Sequence, residues 1–240
     1  MPILAIDTAT MVSSVAVADA GKLLAELTVQ TRLTHSETLL PHVQQVLEMA
    51  NTKKQDLEAV AVSMGPGSFT GLRIGLATAK AIAYGLNIPI IGVPTMEVLA
   101  WHYPVPGVAV VPFIDAQKNN VYTNIYTWEK GEPKAQGDIQ VMTIDDAVLF
   151  CSQQDMPVMA VGDIAAKKLK ARENLPVNLY IGPQHLVMPR AANVAMAGLK
   201  RLEKEMVDSV MDLEPVYIRR SAAEEMLAKK QAEAAKAKES

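Results

Sequence analysis

The chain reads as an α/β protein built from two copies of one unit, and three observations predict this. Short apolar runs alternate with segments of helical spacing in the order β-β-β-α-β-α-β. The second half repeats that plan, with Asp7 and Asp115 at the ends of equivalent first strands. A glycine-rich turn joins one strand to one helix, from Ser63 to Gly75.

Each element has its own signal. Ile3–Ile6 is a buried strand ending in Asp7-Thr8, Ser14–Ala18 a second, and Leu23–Thr31 a third after an Asp19-Ala-Gly21 turn. The short turns make these an antiparallel meander. A helix follows, with Thr34 and Glu37 spaced as a capping box and Leu39, Leu40, Val43, Val46, Leu47 and Ala50 at helical spacing. Pro41 inside it predicts a kink or a later start capped by Ser36. Strand Ala59–Ser63, a helix over 71–86 and strand Ile88–Val93 complete the first unit.

In the second unit Gly107–Ile114 is the first strand, Val121–Trp128 the second, and the third lies around Ile139–Met142 after a turn at Lys130–Pro133. A helix starts near Thr143–Asp146, strand Val158–Val161 follows, then helices over Asp163–Arg172 and Ala191–Met206. Pro104 and Pro106 mark the boundary, giving units over 1–104 and 105–220. Residues 221–240, mostly Ala, Lys and Glu, bury little and read as a frayed tail or an adaptor helix.

Composition narrows the function classes. With 240 residues and 50% hydrophobic content the chain can bury a substantial core. A net charge of −3 supplies no basic field for non-specific nucleic-acid binding, leaving one local basic cluster of Arg190, Lys200, Arg201 and Lys204. The single cysteine, Cys151, excludes an internal disulfide and sits in an apolar run as a buried thiol. No signal peptide and no membrane-spanning run is visible, so a cytoplasmic chain is expected.

The glycine loop resists two familiar readings. Gly65-x-Gly67-x-x-x-Gly71 places its third glycine one residue late for a dinucleotide fingerprint, and Leu72-Arg73 stands where a P-loop needs Lys and Ser/Thr. It is either a phosphate cradle made by Gly65, Gly67, Ser68 and Thr70 at a helix N-terminus, or a tight turn that lets the next helix pack on the strand. Asp7, Thr8 and Asp115 are likewise candidate ligands of a magnesium-bound phosphate, Asp7 alternatively a turn cap. Bulky Gln117-Lys-Asn-Asn120 after Asp115 would hold the backbone away from a phosphate. Gly71, Gly75, Ala79 and Ala83 recur every four residues, a stripe of small side chains that admits either a partner helix or the chain's own sheet.

Ile3–Thr8, His35-Ser-Glu37 with Leu39-Leu-Pro41, Ala61–Gly75, Ala77–Lys80 and Pro215–Arg220 together resemble the TsaB family, also called YeaZ. The likeness implies two ribonuclease-H-like lobes of the actin-like, sugar kinase and Hsp70 ATPase superfamily. It also implies a non-catalytic scaffold that acts with TsaD and TsaE in making N6-threonylcarbamoyladenosine at position 37 of tRNA. The first two helices would form the face shared with TsaD, or with a second copy when TsaD is absent. His35, Leu39, Val43, Gly71, Arg73, Gly75, Ala79 and Ala83 are the residues expected there. Contact with tRNA would be indirect, through the complex.

Catalytic relatives carry a His-x-x-x-His metal site after the strand matching 88–93. Thr95 and Leu99 stand at those positions here, and leucine cannot ligate a metal. His102 is out of register, and His35 and His42, seven apart, lie two turns from each other. No metal and no cofactor is therefore expected on this chain alone, with ATP or ADP and Mg confined to a complex. The alternative is an ATP-dependent phosphotransferase or metallohydrolase that keeps the ancestral site.

Overall fold

The computed structural model describes residues 1–30 and 35–218. The capping residue Thr34 and the tail 221–240 lie outside the described residues.

The first sheet is built from β1 (Pro2–Asp7), β2 (Ser13–Asp19), β3 (Lys22–Val29), β4 (Ala59–Gly65) and β5 (Ile90–Pro94), ordered β3-β2-β1-β4-β5. β1 to β3 form the antiparallel meander, and β4 and β5 join in parallel through helical crossovers. Strand alternation splits the side chains between two faces. Leu4, Ile6, Val15, Val17, Val60 and Val62 face α1 (His35–Met49) and α2 (Phe69–Leu86). Ile3, Ala5, Ala16, Ala18, Ala59 and Ala61 face the other way. α1 runs from His35 with Pro41 inside it, so the start is not late and Ser36 lies within the helix. α2 begins at the Ser68 cap and ends at Asn87, whose left-handed φ of 54° closes the helix.

The second sheet joins β6 (Ala109–Pro112), β9 (Tyr126–Glu129), β10 (Glu132–Ala135), β12 (Val158–Val161) and β13 (Leu179–Ile181) in the order β10-β9-β6-β12-β13. Counted within its own half, this order and its mix of antiparallel and parallel pairs repeat those of the first sheet. A small third sheet holds β7 (Ile114–Asp115), β8 (Asn120–Thr123) and β11 (Gln140–Thr143).

The second half departs from the sequence reading in five places. Gly107–Ile114 is not one strand: β6 ends at Pro112, and Asp115 closes β7 of the small sheet, so it does not end the counterpart of β1 as Asp7 ends β1. Val121–Trp128 is not one strand, because Asn124 interrupts the ladder. Its amide donates to the Gly137 carbonyl at 2.8 Å and its Oδ1 accepts from the Ile125 N–H at 2.8 Å, so the chain changes sheets there. The third strand of the large sheet is β10, which begins inside the segment read as a turn and runs on to Ala135. Only Lys130 and Gly131, with φ of 51° and 80°, make that turn. The stretch around Ile139–Met142 is β11, which pairs with β8 in the small sheet. The helix expected over Asp163–Arg172 starts at Asp163 but ends at Leu169, its Ala165–Leu169 part a π-type turn, after Gly162 at φ 99°.

α4 (Ile144–Ser152) covers the outer face of the second sheet, where Cys151 is buried. α3 (Thr95–Ala100) covers the inner face through Met96, Leu99 and Ala100. α5 (Ala191–Glu203) crosses back, and its Ala191, Val194, Ala195 and Ala197 pack on the first sheet. Residues 206–217 return as well: Asp208 bridges Ile90, Leu213 enters the first core, and Val216 N–H donates to the Met64 carbonyl at 2.7 Å. Residues 191–217 therefore belong with the first sheet, although the boundary near 104 would place them with the second. A helix that docks on a distant sheet leaves no trace in its own periodicity.

Candidate functional site

The glycine loop lies at the end of β4 beside the end of β1, and the two segments are locked together. Ser68 N–H donates to the Ala9 carbonyl at 2.7 Å, and the Thr8 hydroxyl donates to the Gly71 carbonyl at 2.8 Å. A Cβ on Gly67 would stand 2.3 Å from the Ala9 carbonyl oxygen. One on Gly71 would stand 2.1 Å from that of Thr8, and one on Gly75 2.2 Å from Thr8 Oγ1. These glycines are demanded by the chain's own residues 8 and 9. Ser68 Oγ accepts from Gly71 N–H at 3.2 Å, so the helix start is capped from within. Thr70 points out on the first turn and Gly65 is buried, a Cβ there meeting the Val216 carbonyl at 2.9 Å.

Asp7 is fully buried. Its Oδ1 accepts from Ala9 N–H at 3.1 Å, while its Oδ2 has no partner. Burial pushes the carboxyl up to about 6, the Ser63 hydroxyl and the Ala9 amide offsetting part of the desolvation. The Ser63 influence is weaker than a formed hydrogen bond, since Ser63 Oγ is itself unpartnered. A phosphate needs open amides and an accessible acid for its metal. Here two loop amides are taken internally and the acid is sealed, so these residues do not fit that group in this conformation.

The second candidate acid, Asp115, is exposed, unlike Asp7, and caps its own turn. Asp115 Oδ1 accepts from Gln117 N–H at 2.8 Å, and Gln117, Lys118 and Asn119 all take left-handed φ angles, of 62°, 51° and 62°. Asp163 approaches it, accepting from Asp115 N–H at 3.3 Å, and its own carboxyl is raised, chiefly by burial. Asp7 and Asp115 thus each bind a backbone N–H two residues ahead, as turn-capping aspartates do.

The residues expected at a partner face divide by burial. Leu39, Val43, Gly71, Gly75, Ala79 and Ala83 are all buried, the leucine, valine and alanines within the first core. The small-residue stripe is used on the chain's own sheet and strand ends, because every fourth position of α2 faces inward. His35 begins α1, and its side chain lies outside the described residues. Among the described side chains of the set, Arg73 alone points outward. The outer surface of α1 and α2 carries Leu40 (61% exposed), Met49, Phe69 and Tyr84 (68% exposed) instead. Tyr217 joins Phe69 there, their ring centroids 4.9 Å apart. Sequence spacing sets Tyr84 off the small-residue stripe of α2, but it groups Leu40 with the apolar positions of α1, and the structure leaves Leu40 exposed. Tyr217 is 144 residues from its partner Arg73 and had no such signal.

Thr95 and Leu99 are both fully buried on α3, Leu99 packing with Met96, Ala100 and Val110. His102 is largely buried, its Nε2 2.9 Å from the Met188 carbonyl, and burial lowers its pKa. His42 Nδ1 lies 3.3 Å from Ser13 Oγ. The basic cluster read from the sequence is neutralised: Arg190 pairs with Glu26, Lys200 with Glu203, Arg201 with Glu97 and Lys204 with Glu132. No described helix is long and apolar enough to cross a membrane.

A family model described as TsaD, tRNA N6-adenosine threonylcarbamoyltransferase, matches residues 29–227. The chain is 32% identical to the tRNA threonylcarbamoyladenosine biosynthesis protein TsaB of Bacillus subtilis, covering 93% of this chain and 96% of that one. It is 41% identical to the Escherichia coli TsaB over 125 residues, 51% of this chain and 53% of that one. YeaZ from Pseudomonas aeruginosa superposes with a TM-score of 0.74 at 23% identity, over 90% of this chain and 99% of that chain, a likeness of fold. Similarity to TsaB over 93% of this chain and 96% of that relative, with a family model matched over residues 29–227, makes this chain a member of the TsaB (YeaZ) family.

Proposed function

We propose that this chain is the non-catalytic scaffold or activator subunit that works with TsaD, and with TsaE, in forming N6-threonylcarbamoyladenosine at position 37 of tRNA. The names of its relatives support the pathway. One observation carries the scaffold role: large apolar side chains stand exposed on α1 and α2, while the nearby glycine loop is closed on itself. Exposed Leu40, Met49, Phe69 and Tyr84 supply the aromatic and aliphatic anchors that protein interfaces use.

In this reading the two sheets are ribonuclease-H-like lobes divided near residue 104, with 191–217 crossing back. The α1–α2 face receives TsaD in a heterodimer and a second copy of this chain when TsaD is absent. ATP or ADP and Mg bind only in the complex, tRNA is reached through the complex, and the protein works in the cytoplasm. The reading is tested by co-purification with TsaD and by threonylcarbamoyl transfer assayed with and without this chain. Leu40→Asp and Tyr84→Asp should abolish both co-purification and transfer while leaving the chain folded. Robust ATP turnover by the isolated chain that vanishes in Asp7→Ala would overturn it.

A further inference from the structure

Arg73 projects from the second turn of α2 and is held on two sides. Its guanidinium carbon lies 3.9 Å from the centroid of the Phe69 ring, and its Nε donates to the Tyr217 hydroxyl at 2.9 Å. Tyr217 is itself stacked on Phe69, so the three side chains brace one another. The braced guanidinium is exposed and makes no ion pair among the described residues. α2 contains no acidic residue, and its other cation, Lys80, is turned to the Met211 carbonyl at 2.9 Å. Nε is engaged and the plane is fixed, which leaves the two terminal nitrogens directed outward as a fork.

We propose that Arg73 is a preformed fork for a carboxylate, an Asp or Glu side chain of the protein that docks on the α1–α2 face, with Phe69 and Tyr217 as positioning residues. The proposal rests on the docking reading above. A planar guanidinium gives two parallel N–H···O bonds to a carboxylate, and fixing it beforehand reduces the ordering cost of binding. An acidic group suits this spot because the helix is cationic in a chain whose net charge is −3. One fork ringed by aromatic carbon matches a carboxylate set in an apolar surface. A phosphate would call for further donors, and the Ser68 and Gly71 amides of the adjoining loop are already engaged.

The test uses the full chain and purified TsaD from the same organism, with affinity measured by calorimetry at several salt concentrations. Arg73→Ala should weaken binding by about 30-fold or more, and Arg73→Lys, which keeps the charge and loses the fork, by about 10-fold. Tyr217→Phe keeps the ring and loses the bond to Nε, so a smaller loss with a shallower salt dependence is expected. Arg73→Lys binding within twofold of wild type would overturn the fork. If wild-type chain does not bind TsaD while Arg73 still meets the criterion that follows, the docking reading alone fails. The guanidinium N–H resonances of Arg73 are followed on titration with acetate and, separately, with phosphate. A saturable shift with acetate at Arg73, not shared by the other arginine side chains, supports the carboxylate site. No shift, or tighter response to phosphate, overturns it.

Discussion

The Thr8 hydroxyl donates to the Gly71 carbonyl at 2.8 Å, joining residues 63 apart in sequence. That bond holds the first turn of α2 against the end of β1 at a spacing only glycine permits. The loop that looks from its sequence like a ligand cradle is thereby occupied by the chain itself, and what it positions is the outer face of the helix it starts.

Substitutions at the α2 glycines should therefore split by sign. Gly71→Ala would set a methyl carbon 2.1 Å from the Thr8 carbonyl oxygen, and Gly75→Ala one 2.2 Å from Thr8 Oγ1. Backbone at Thr8 cannot move without pulling β1, so each should cost about 1–3 kcal/mol or more in urea unfolding. Gly85→Ala, in the same helix with nothing within 4 Å, should instead stabilise by about 0.5–1 kcal/mol through helix propensity. Equal effects at Gly71 and Gly85 would contradict the close approach.

Asp7 should make stability fall with rising pH. Its carboxyl is pushed from an ordinary value of 3.8 to about 6 by burial. A folded-state pKa above the unfolded one means the folded chain holds the proton more tightly. The favourable contribution is full below the unfolded value, is lost as pH rises through about 6, and stays lost above it. Asp7→Asn keeps an acceptor for the Ala9 amide and removes the charge. It should raise stability at pH 8 by on the order of 2–3 kcal/mol and flatten the profile between pH 4 and 7. Denaturant unfolding across that range checks it, and a variant less stable than wild type at pH 8 would refute it.

Much of the first half was legible in the sequence because its signals are local. Short continuous apolar runs, the Asp19-Ala-Gly21 turn and the helical spacing of Leu39, Val43 and Val46 each act within a few residues. The second half was less so: four-residue strands such as β8 and β9 give too few alternations to separate, and one buried Asn124 decides where the chain changes sheets. At the site, the glycine loop's position and the turn-capping option for Asp7 were readable. Which way the small-residue stripe faced was not, since a helix packing on its own sheet and one packing on a partner need the same spacing. Tyr217 and the return of α5 depend on contacts across the whole chain, where sequence periodicity carries no information.

The returning segment 206–217 should stabilise the open edge of the first sheet through one carboxylate. β5 is the last strand of that sheet, and Asp208 meets it twice. Its N–H donates to the Ile90 carbonyl at 2.9 Å, and its Oδ2 accepts from Gly92 N–H at 2.7 Å. Gly92 has no room for a side chain, a Cβ there falling 2.7 Å from Met64 Sδ and 2.9 Å from Leu213 Cδ1, so its buried amide has no alternative neighbour to turn toward. Asp208→Ala leaves that donor unsatisfied and should cost about 1–3 kcal/mol. Asp208→Asn, which retains a carbonyl acceptor, should recover part of the loss. Hydrogen exchange separates a local effect from a global one: in Asp208→Ala the amides of β5 and of 206–217 should exchange faster, while those of β12 in the second sheet keep their protection. Uniform loss of protection in both sheets would mean the segment contributes to overall stability rather than closing this edge.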